Sequence, residues 1–203
     1  GLTSDRVSLM DLRTLADWVI RPRLLAVPGV AGAVIYGGQV KEYQILVSPE
    51  RLNRFALTLE EITTASRNAT ALMGAGYVDR ATQRLPIRGD GMVKDVDDLR
   101  TALVGLRDGV PLTLGQVAEV RIGEAFKAGD ATVEGEDGVL LIVSKQPDAN
   151  TLQVSQQVEQ VLVDLRSALP LGVKLHPALF RQATFIESAL ANMRRVLLLG
   201  AVL

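Results

Sequence analysis

The chain has 203 residues, close to half of them apolar and 22% charged, which is enough to bury one or two small cores. Its formal net charge is −1 and no long like-charge run occurs, so the electrostatic footprint of nucleic-acid binding is missing and no nucleic acid is expected as a partner. There is no cysteine, which excludes disulfides, thiolate metal sites and cysteine nucleophiles and suits an oxidising compartment.

The opening Gly1-Leu2-Thr3-Ser4 has neither an initiator Met nor a signal-peptide pattern, and the chain reads as a fragment of something longer. Ser8 and Asp11 form a capping box, and Leu12, Leu15, Ala16 and Val19 follow at amphipathic spacing, predicting a helix over 9–25 with Pro22 kinking or ending it. Beyond Pro28-Gly29, the runs 30–36 and 40–47 flank Gly37-Gly38 and predict a β-hairpin.

Thr58 with Glu61 makes a second capping box, with Leu57 and Ile62 as its hydrophobic staple, so a helix is expected over 59–68. Over 70–88 the pattern changes to Gly74-Ala75-Gly76, then Tyr77-Val78 and Leu85-Pro86-Ile87 around a polar stretch. This predicts a projecting hairpin, with Pro86 confining its strand to an edge. A short helix capped by Asp97 and containing Leu99, Leu103 and Val104 comes next, then strands over 111–114 and 120–122 with a turn through Gln116 between them.

A buried strand over 139–143 leads through Asp148-Ala149-Asn150 into a long helix with Val154, Val158, Val161 and Leu165 on one face and Asn150 as its N-cap. It ends at Leu169-Pro170-Leu171-Gly172-Val173 before a strand through Lys174 and Leu175, much as Val27-Pro28-Gly29-Val30 ends the first helix. Two related halves are therefore expected to form an α+β sandwich of ferredoxin-like type, helices on one face of an antiparallel sheet, split by an inserted small α+β domain over 43–128.

Candidate chemistry is sparse. His176 is the only histidine, so it has no second imidazole for a metal cluster or dyad and reads as structural. Met10, Met73, Met92 and Met193 could suit a soft metal but lie in four different elements and read as packing residues. Asp95, Asp97 and Asp98 lack the later ligands of a calcium loop, Arg88-Gly89-Asp90 reads as turn chemistry, and no phosphate loop occurs. No catalytic, cofactor-binding or metal-binding residue is assigned, and an enzyme is not expected.

From Arg181 onward the residues read as one helix, with Ile186, Leu190, Met193 and Leu197 roughly on a face, closing on an apolar run over 196–203. That run would rise about 12 Å as helix, against a hydrocarbon core of about 30 Å. It is read as the entrance to a membrane span.

Five stretches, taken in order and spacing, resemble the resistance–nodulation–division (RND) transporters, in their heavy-metal efflux branch of CusA/CzcA type. They are 38–51 (GQVKEYQILVSPER), 74–88 (GAGYVDRATQRLPIR), 109–123 (GVPLTLGQVAEVRIG), 149–154 (ANTLQV) and 179–203 (LFRQATFIESALANMRRVLLLGAVL). The resemblance implies that 1–42 and 129–178 are two pieces of the second N-terminal porter subdomain, that 43–128 is a docking subdomain, and that 179–203 leads into the second transmembrane helix. It also implies a proton-driven antiporter of the bacterial inner membrane, homotrimeric, working with a membrane-fusion protein and an outer-membrane channel, with this segment mainly periplasmic.

By the same resemblance the projecting hairpin would contact a partner, through Gly74, Gly76, Tyr77, Arg80, Arg84 and Arg88. The family's proton-relay carboxylates and methionine metal cluster lie in other regions. Arg194-Arg195 before the apolar run runs against the positive-inside rule, a bias that later spans need not obey. Two other readings compete: a ferredoxin-like regulatory module binding a small ligand between its halves, and an RND pump for organic compounds.

Overall fold

The computed structural model describes residues 1–70, 74–80, 83–88, 93–107, 109–127 and 129–202. It divides into two compact units, one made of Gly1–Lys41 with Glu124–Leu203 and the other of Glu42–Gly123.

The chain begins with strand β1 (Leu2–Ser4), which is too short to have a readable alternation. The Ser8 hydroxyl then accepts from the Asp11 N–H at 3.1 Å and starts α1 (Leu9–Leu15). The predicted helix runs on through a π-helical turn (Ala16–Ile20) into α2 (Arg21–Leu25). Pro22 does not end it. The Arg21 N–H reaches back to the Ala16 carbonyl in the wider π pattern, and Pro22 sits in the first turn of α2, where a missing N–H is tolerated. Leu12, Ala16, Ile20 and Leu24 form its buried stripe.

Strand β2 (Val30–Gly37) follows, but the expected hairpin with the next strand does not form. Gly37 and Gly38 do have positive φ, 73° and 68°. They are needed for close approach: a Cβ on Gly37 would lie 2.6 Å from the Gly138 carbonyl oxygen, and one on Gly38 would lie 2.8 Å from Arg13 Cβ. The two strands then find partners far away in sequence.

In the second unit, β3 (Lys41–Leu46) pairs with β8 (Glu119–Glu124). Between them α3 (Pro49–Arg54) is capped by Ser48, a turn that the sequence pattern did not reveal. Helix α4 (Leu59–Thr70) carries the predicted box: Thr58 N–H donates to Glu61 Oε2 at 2.7 Å and Glu61 N–H to Thr58 Oγ1 at 3.2 Å. The staple residues Leu57 and Ile62 are both buried.

Strands β4 (Gly74–Arg80) and β5 (Gln83–Arg88) make a two-stranded sheet of their own. Helix α5 (Val96–Thr101) is capped by Asp95, whose Oδ1 accepts from the N–H groups of Asp97 and Asp98 at 2.9 Å each, and not by Asp97. Leu103 and Val104 belong to strand β6 (Leu103–Arg107), paired with β7 (Val110–Thr113), and not to that helix. Helix α6 (Leu114–Val117) starts on a Thr113–Gln116 capping box. Ile62, Leu99, Leu114, Val117 and Val120 belong to this unit's core.

The chain returns to the first unit through a small hairpin, β9 (Thr132–Val133) and β10 (Glu136–Asp137), and then β11 (Val139–Lys145). Strand β11 is half-buried and not fully so: Val139 is 0% exposed and Ile142 48%. Asn150 Oδ1 accepts from Leu152 and Gln153 N–H groups to begin α7 (Thr151–Arg166), followed by β12 (Val173–Leu175) and α8 (Gln182–Val202).

The four-stranded sheet has the order β12-β1-β11-β2, every neighbouring pair antiparallel. Each half contributes strand, helix, strand, and the halves interleave, which is the ferredoxin-like arrangement with the second unit inserted between β2 and β11. Leu2 and Val139 pack under Leu12, Ile20, Leu24, Leu162 and Leu165, so one helix-covered face holds the core.

Candidate functional site

The six residues expected to contact a partner all lie on the β4–β5 hairpin. Gly74, Gly76, Tyr77 and Arg80 are on β4, and Arg84 and Arg88 are on β5. Gly74 stands opposite Arg88, Tyr77 opposite Pro86, Asp79 opposite Arg84, and Arg80 opposite Gln83. Gly76 falls in the register shift between Gly74 and Tyr77, where a bulge lets a strand bend. Both strands are edges of this two-stranded sheet, so Pro86 removes no donor that an interior strand would need. Gly89 of the tripeptide 88–90, and Met73 and Met92, lie outside the described residues.

A second concentration of polar groups lies in the first unit, where the sequence offered little signal. His176 Nδ1 is 3.0 Å from Glu134 Oε2, and its Nε2 is 2.9 Å from the hydroxyl of Thr3, a residue 1% exposed. The imidazole thus satisfies a buried hydroxyl, which fits the structural reading of His176. Glu134 carries a positive φ of 53° in the turn between β9 and β10, and Gly135 follows at 87°. Two successive left-handed residues are the backbone of a type I′ turn.

Nearby, Arg181 joins the start of α8 to α7. It donates from Nη1 and Nη2 to Glu187 at 2.6 and 3.1 Å, and from Nε to Glu159. The hydrogen bonds from Arg181 hold the Glu187 carboxyl below its ordinary value, and the two carboxylates raise Arg181 further. Glu159 and Arg181 are separated widely in sequence, and only the known packing of α7 on α8 would have paired them.

Glu134, Glu159, His176 and Arg181 rim a groove of about 770 Å³ between β11 and the segment that follows β12. Its floor is apolar, with Ile20, Leu24, Val154, Val158 and Leu162, and its walls include Leu141 and Leu179. Among the described residues no three His, Cys, Asp or Glu side chains stand together to hold a metal ion. The carboxylates of Asp95 and Asp98 accept backbone N–H groups at the start of α5, and Asp97 pairs with Arg100 at 2.7 Å.

Helix α8 spans 21 residues, and Leu190, Met193, Val196, Leu197, Leu198 and Leu199 are all exposed on it. Among the described residues no helix is long and apolar enough to cross a membrane.

The AcrB/AcrD/AcrF family profile matches residues 1–203. The chain is 34% identical over 193 residues to the cobalt-zinc-cadmium resistance protein CzcA of Cupriavidus metallidurans, covering 95% of this chain and 18% of that protein. It is 32% identical over 200 residues to the cation efflux system protein CusA of Escherichia coli K12, covering 96% of this chain and 19% of that one. Among solved structures it is similar to a heavy metal efflux pump, with a TM-score of 0.77 and 26% identity over 92% of this chain and 18% of the pump chain. The chain therefore spans less than a fifth of the length of these relatives, and it belongs to the AcrB/AcrD/AcrF family, on the heavy-metal efflux branch of the RND transporters.

Proposed function

We propose that this chain is the periplasmic porter-and-docking part of a proton-driven RND transporter that exports heavy-metal cations. The observation that carries the reading is the likeness along nearly the whole chain to CzcA, a protein named for cobalt, zinc and cadmium resistance. Residues 1–42 and 129–178 serve as the second N-terminal porter subdomain, 43–128 as the docking subdomain, and 179–203 lead into the second transmembrane helix in the inner membrane. The work of this part is assembly and conformational coupling, not catalysis. A compact ferredoxin-like sandwich suits a body that rocks as a unit during alternating access.

The partners are two further copies in a homotrimer, a membrane-fusion protein and an outer-membrane channel. The β4–β5 hairpin, through Tyr77, Arg80, Arg84 and Arg88, is the segment that reaches a neighbouring protomer. A free-standing two-stranded sheet is marginal in water, which is consistent with a hairpin stabilised by a partner.

The full-length protein, expressed in a metal-sensitive bacterial host, should raise tolerance to divalent heavy-metal cations. Tolerance to organic dyes alone would move the reading to a pump for organic compounds. A photocrosslinker at Tyr77 should join two protomers. A full-length pump that is monomeric, with no crosslink from this hairpin, would overturn the docking assignment.

The groove in the first unit is large enough for the rival small-ligand reading, since ligand pockets run from about 300 to 1,000 Å³. Calorimetric binding of a small metabolite to this chain would favour that reading.

A further inference from the structure

Helix α8 is a long rod on a short seat. Its 21 residues rise about 30 Å. Ala183 is 0% exposed and Ile186 is half-buried, whereas every residue from Glu187 to Gly200 is exposed in this chain. Apolar contact is non-directional, so burial at one end holds the rod in place without fixing its tilt.

Direction comes from polar contacts. The Phe180 and Phe185 rings lie 6.1 Å apart, and Arg181 forks onto Glu187 through Nη1 and Nη2, so the residues just before α8 are braced to the helix itself. A bidentate pair of planar groups resists swivelling, which makes the guanidinium a rigid extension of α8. With the fork occupied, Nε donates to Glu159. Glu159 stands in the middle of α7, beside Val158 and one turn before Leu162, both of which pack in the sandwich core. The Arg181 side chain is only 21% exposed, so this link is less screened by salt than a surface pair. A continuous path therefore runs from α8 through Glu187, Arg181 and Glu159 to α7 and the core.

We infer that Arg181 is a positioning residue for transport, the strut through which a tilt of α8 reaches the porter sandwich. This rests on the reading of the chain as the coupling part of a proton-driven pump, with α8 leading into a membrane span. The two carboxylates have different tasks. Glu187 keeps the guanidinium rigid, and Glu159 receives the push. Without the strut, α8 stays seated on Ala183 but tilts without carrying α7, so proton-driven movement is no longer matched by movement of the sandwich.

The full-length pump would be reconstituted in proteoliposomes under a proton gradient, with the metal salt that the tolerance assay selects, and metal export and proton flux would be read together. The ratio of the two is the decisive quantity, because a variant that merely folds or assembles poorly lowers both in proportion. Arg181→Ala should cut metal export about tenfold and leave proton flux within about twofold of the parent. Glu159→Gln should shift the ratio in the same direction, and Arg181→Lys, which keeps the charge, should recover part of it. Adding Glu159→Gln to Arg181→Ala should change nothing further, since both break one link. A parental ratio in Arg181→Ala and Glu159→Gln overturns the inference, and if Arg181→Ala does not assemble, Glu159→Gln decides alone.

The joint is also read without transport, from the distance between spin labels at Gln156 on α7 and Ser188 on α8 in the full-length protein. The distribution should broaden in Arg181→Ala and Glu159→Gln, and an unchanged distribution overturns the strut. A parent that moves no metal on a proton gradient, while the variants still broaden the distribution, would sink the transporter reading and leave the strut standing.

Discussion

Arg181 grips Glu187 through two side-by-side hydrogen bonds, Nη1 to Oε2 at 2.6 Å and Nη2 to Oε1 at 3.1 Å, and so ties the first two turns of α8 to the residue that precedes them. Its Nε also holds Glu159 on α7. One planar guanidinium thus fixes the direction in which α8 leaves the sandwich. Replacing Arg181 with Ala should speed hydrogen exchange over the first two turns of α8 while leaving the amides of α7 near Leu162 unchanged. Arg181→Lys keeps the charge but not the fork, and should fall between the two. Equal exchange in all three proteins would mean that α8 is positioned by packing, with Ala183, which is 0% exposed, the first residue to test.

The capping box at Thr58 and Glu61 carries a pH dependence whose sign follows from its hydrogen bonds. The Thr58 N–H and hydroxyl, with Arg107 at 3.2 Å, hold the Glu61 carboxyl below its ordinary value. A carboxylate depressed in the folded state contributes stability that is complete above the ordinary carboxylate range and is lost as pH falls through the depressed value. Between neutral pH and mild acid, Glu61→Gln should therefore lose less stability than the parent. Thr58→Ala removes the hydroxyl cap at any pH and should cost about 1 kcal/mol by denaturant melting.

That box could be read from the sequence because both partners lie within one helical turn. The same holds for Ser8 with Asp11 and for Asn150. Asp95, Asp97 and Asp98 could each cap a helix, and the choice of Asp95 depended on where the backbone turned. Leu99 and Leu103 stand four apart, as in a helix, yet Leu103 pairs with Thr113 in a strand, because the β6–β7 ladder outweighs local periodicity. Gly37-Gly38 has the left-handed backbone that a tight turn needs, but β2 pairs with β11 across a whole inserted unit, a partner that no local pattern encodes. The candidate site divides in the same way. The hairpin holding Tyr77 and Arg84 is legible from its glycines and from the apolar residues on either side of a polar stretch, whereas Thr3, Glu134, Glu159 and Arg181 find their partners only after the sheet forms.

Gly37 and Gly32 lie on the same strand and should respond to alanine in opposite ways. At Gly37 the backbone is left-handed, and a Cβ would meet Ala131 and the Gly138 carbonyl at 2.6 Å each. The conformational penalty alone is about 1–2 kcal/mol, and the contact with fixed backbone adds to it. At Gly32 nothing lies within 4 Å and no positive φ is needed. Gly32→Ala should be neutral or stabilise by up to about 1 kcal/mol, by restricting the unfolded chain. Chemical denaturation of the two variants checks this directly. A mild effect at Gly37 would show that the β9–β10 region gives way easily.

Separate cores predict separable unfolding. Leu12 is buried with Ile20, Leu24 and Leu162 in the first unit, and Leu114 with Ile62, Leu99 and Val117 in the second; Leu12 and Leu114 are both 0% exposed. Truncating either to Ala removes a transfer contribution and leaves a cavity, together about 2–5 kcal/mol. If each unit melts on its own core, Leu114→Ala should lower the midpoint of only one transition, read from the exchange of amides in α4 and β8. Leu12→Ala should lower the other, read in β2 and β11. The inserted unit begins and ends on one strand pair, β3 with β8, so its two chain ends emerge side by side, and its loss need not break the ferredoxin-like sheet. A single transition that moves equally in both variants would mean that the insertion and its host fold as one cooperative body.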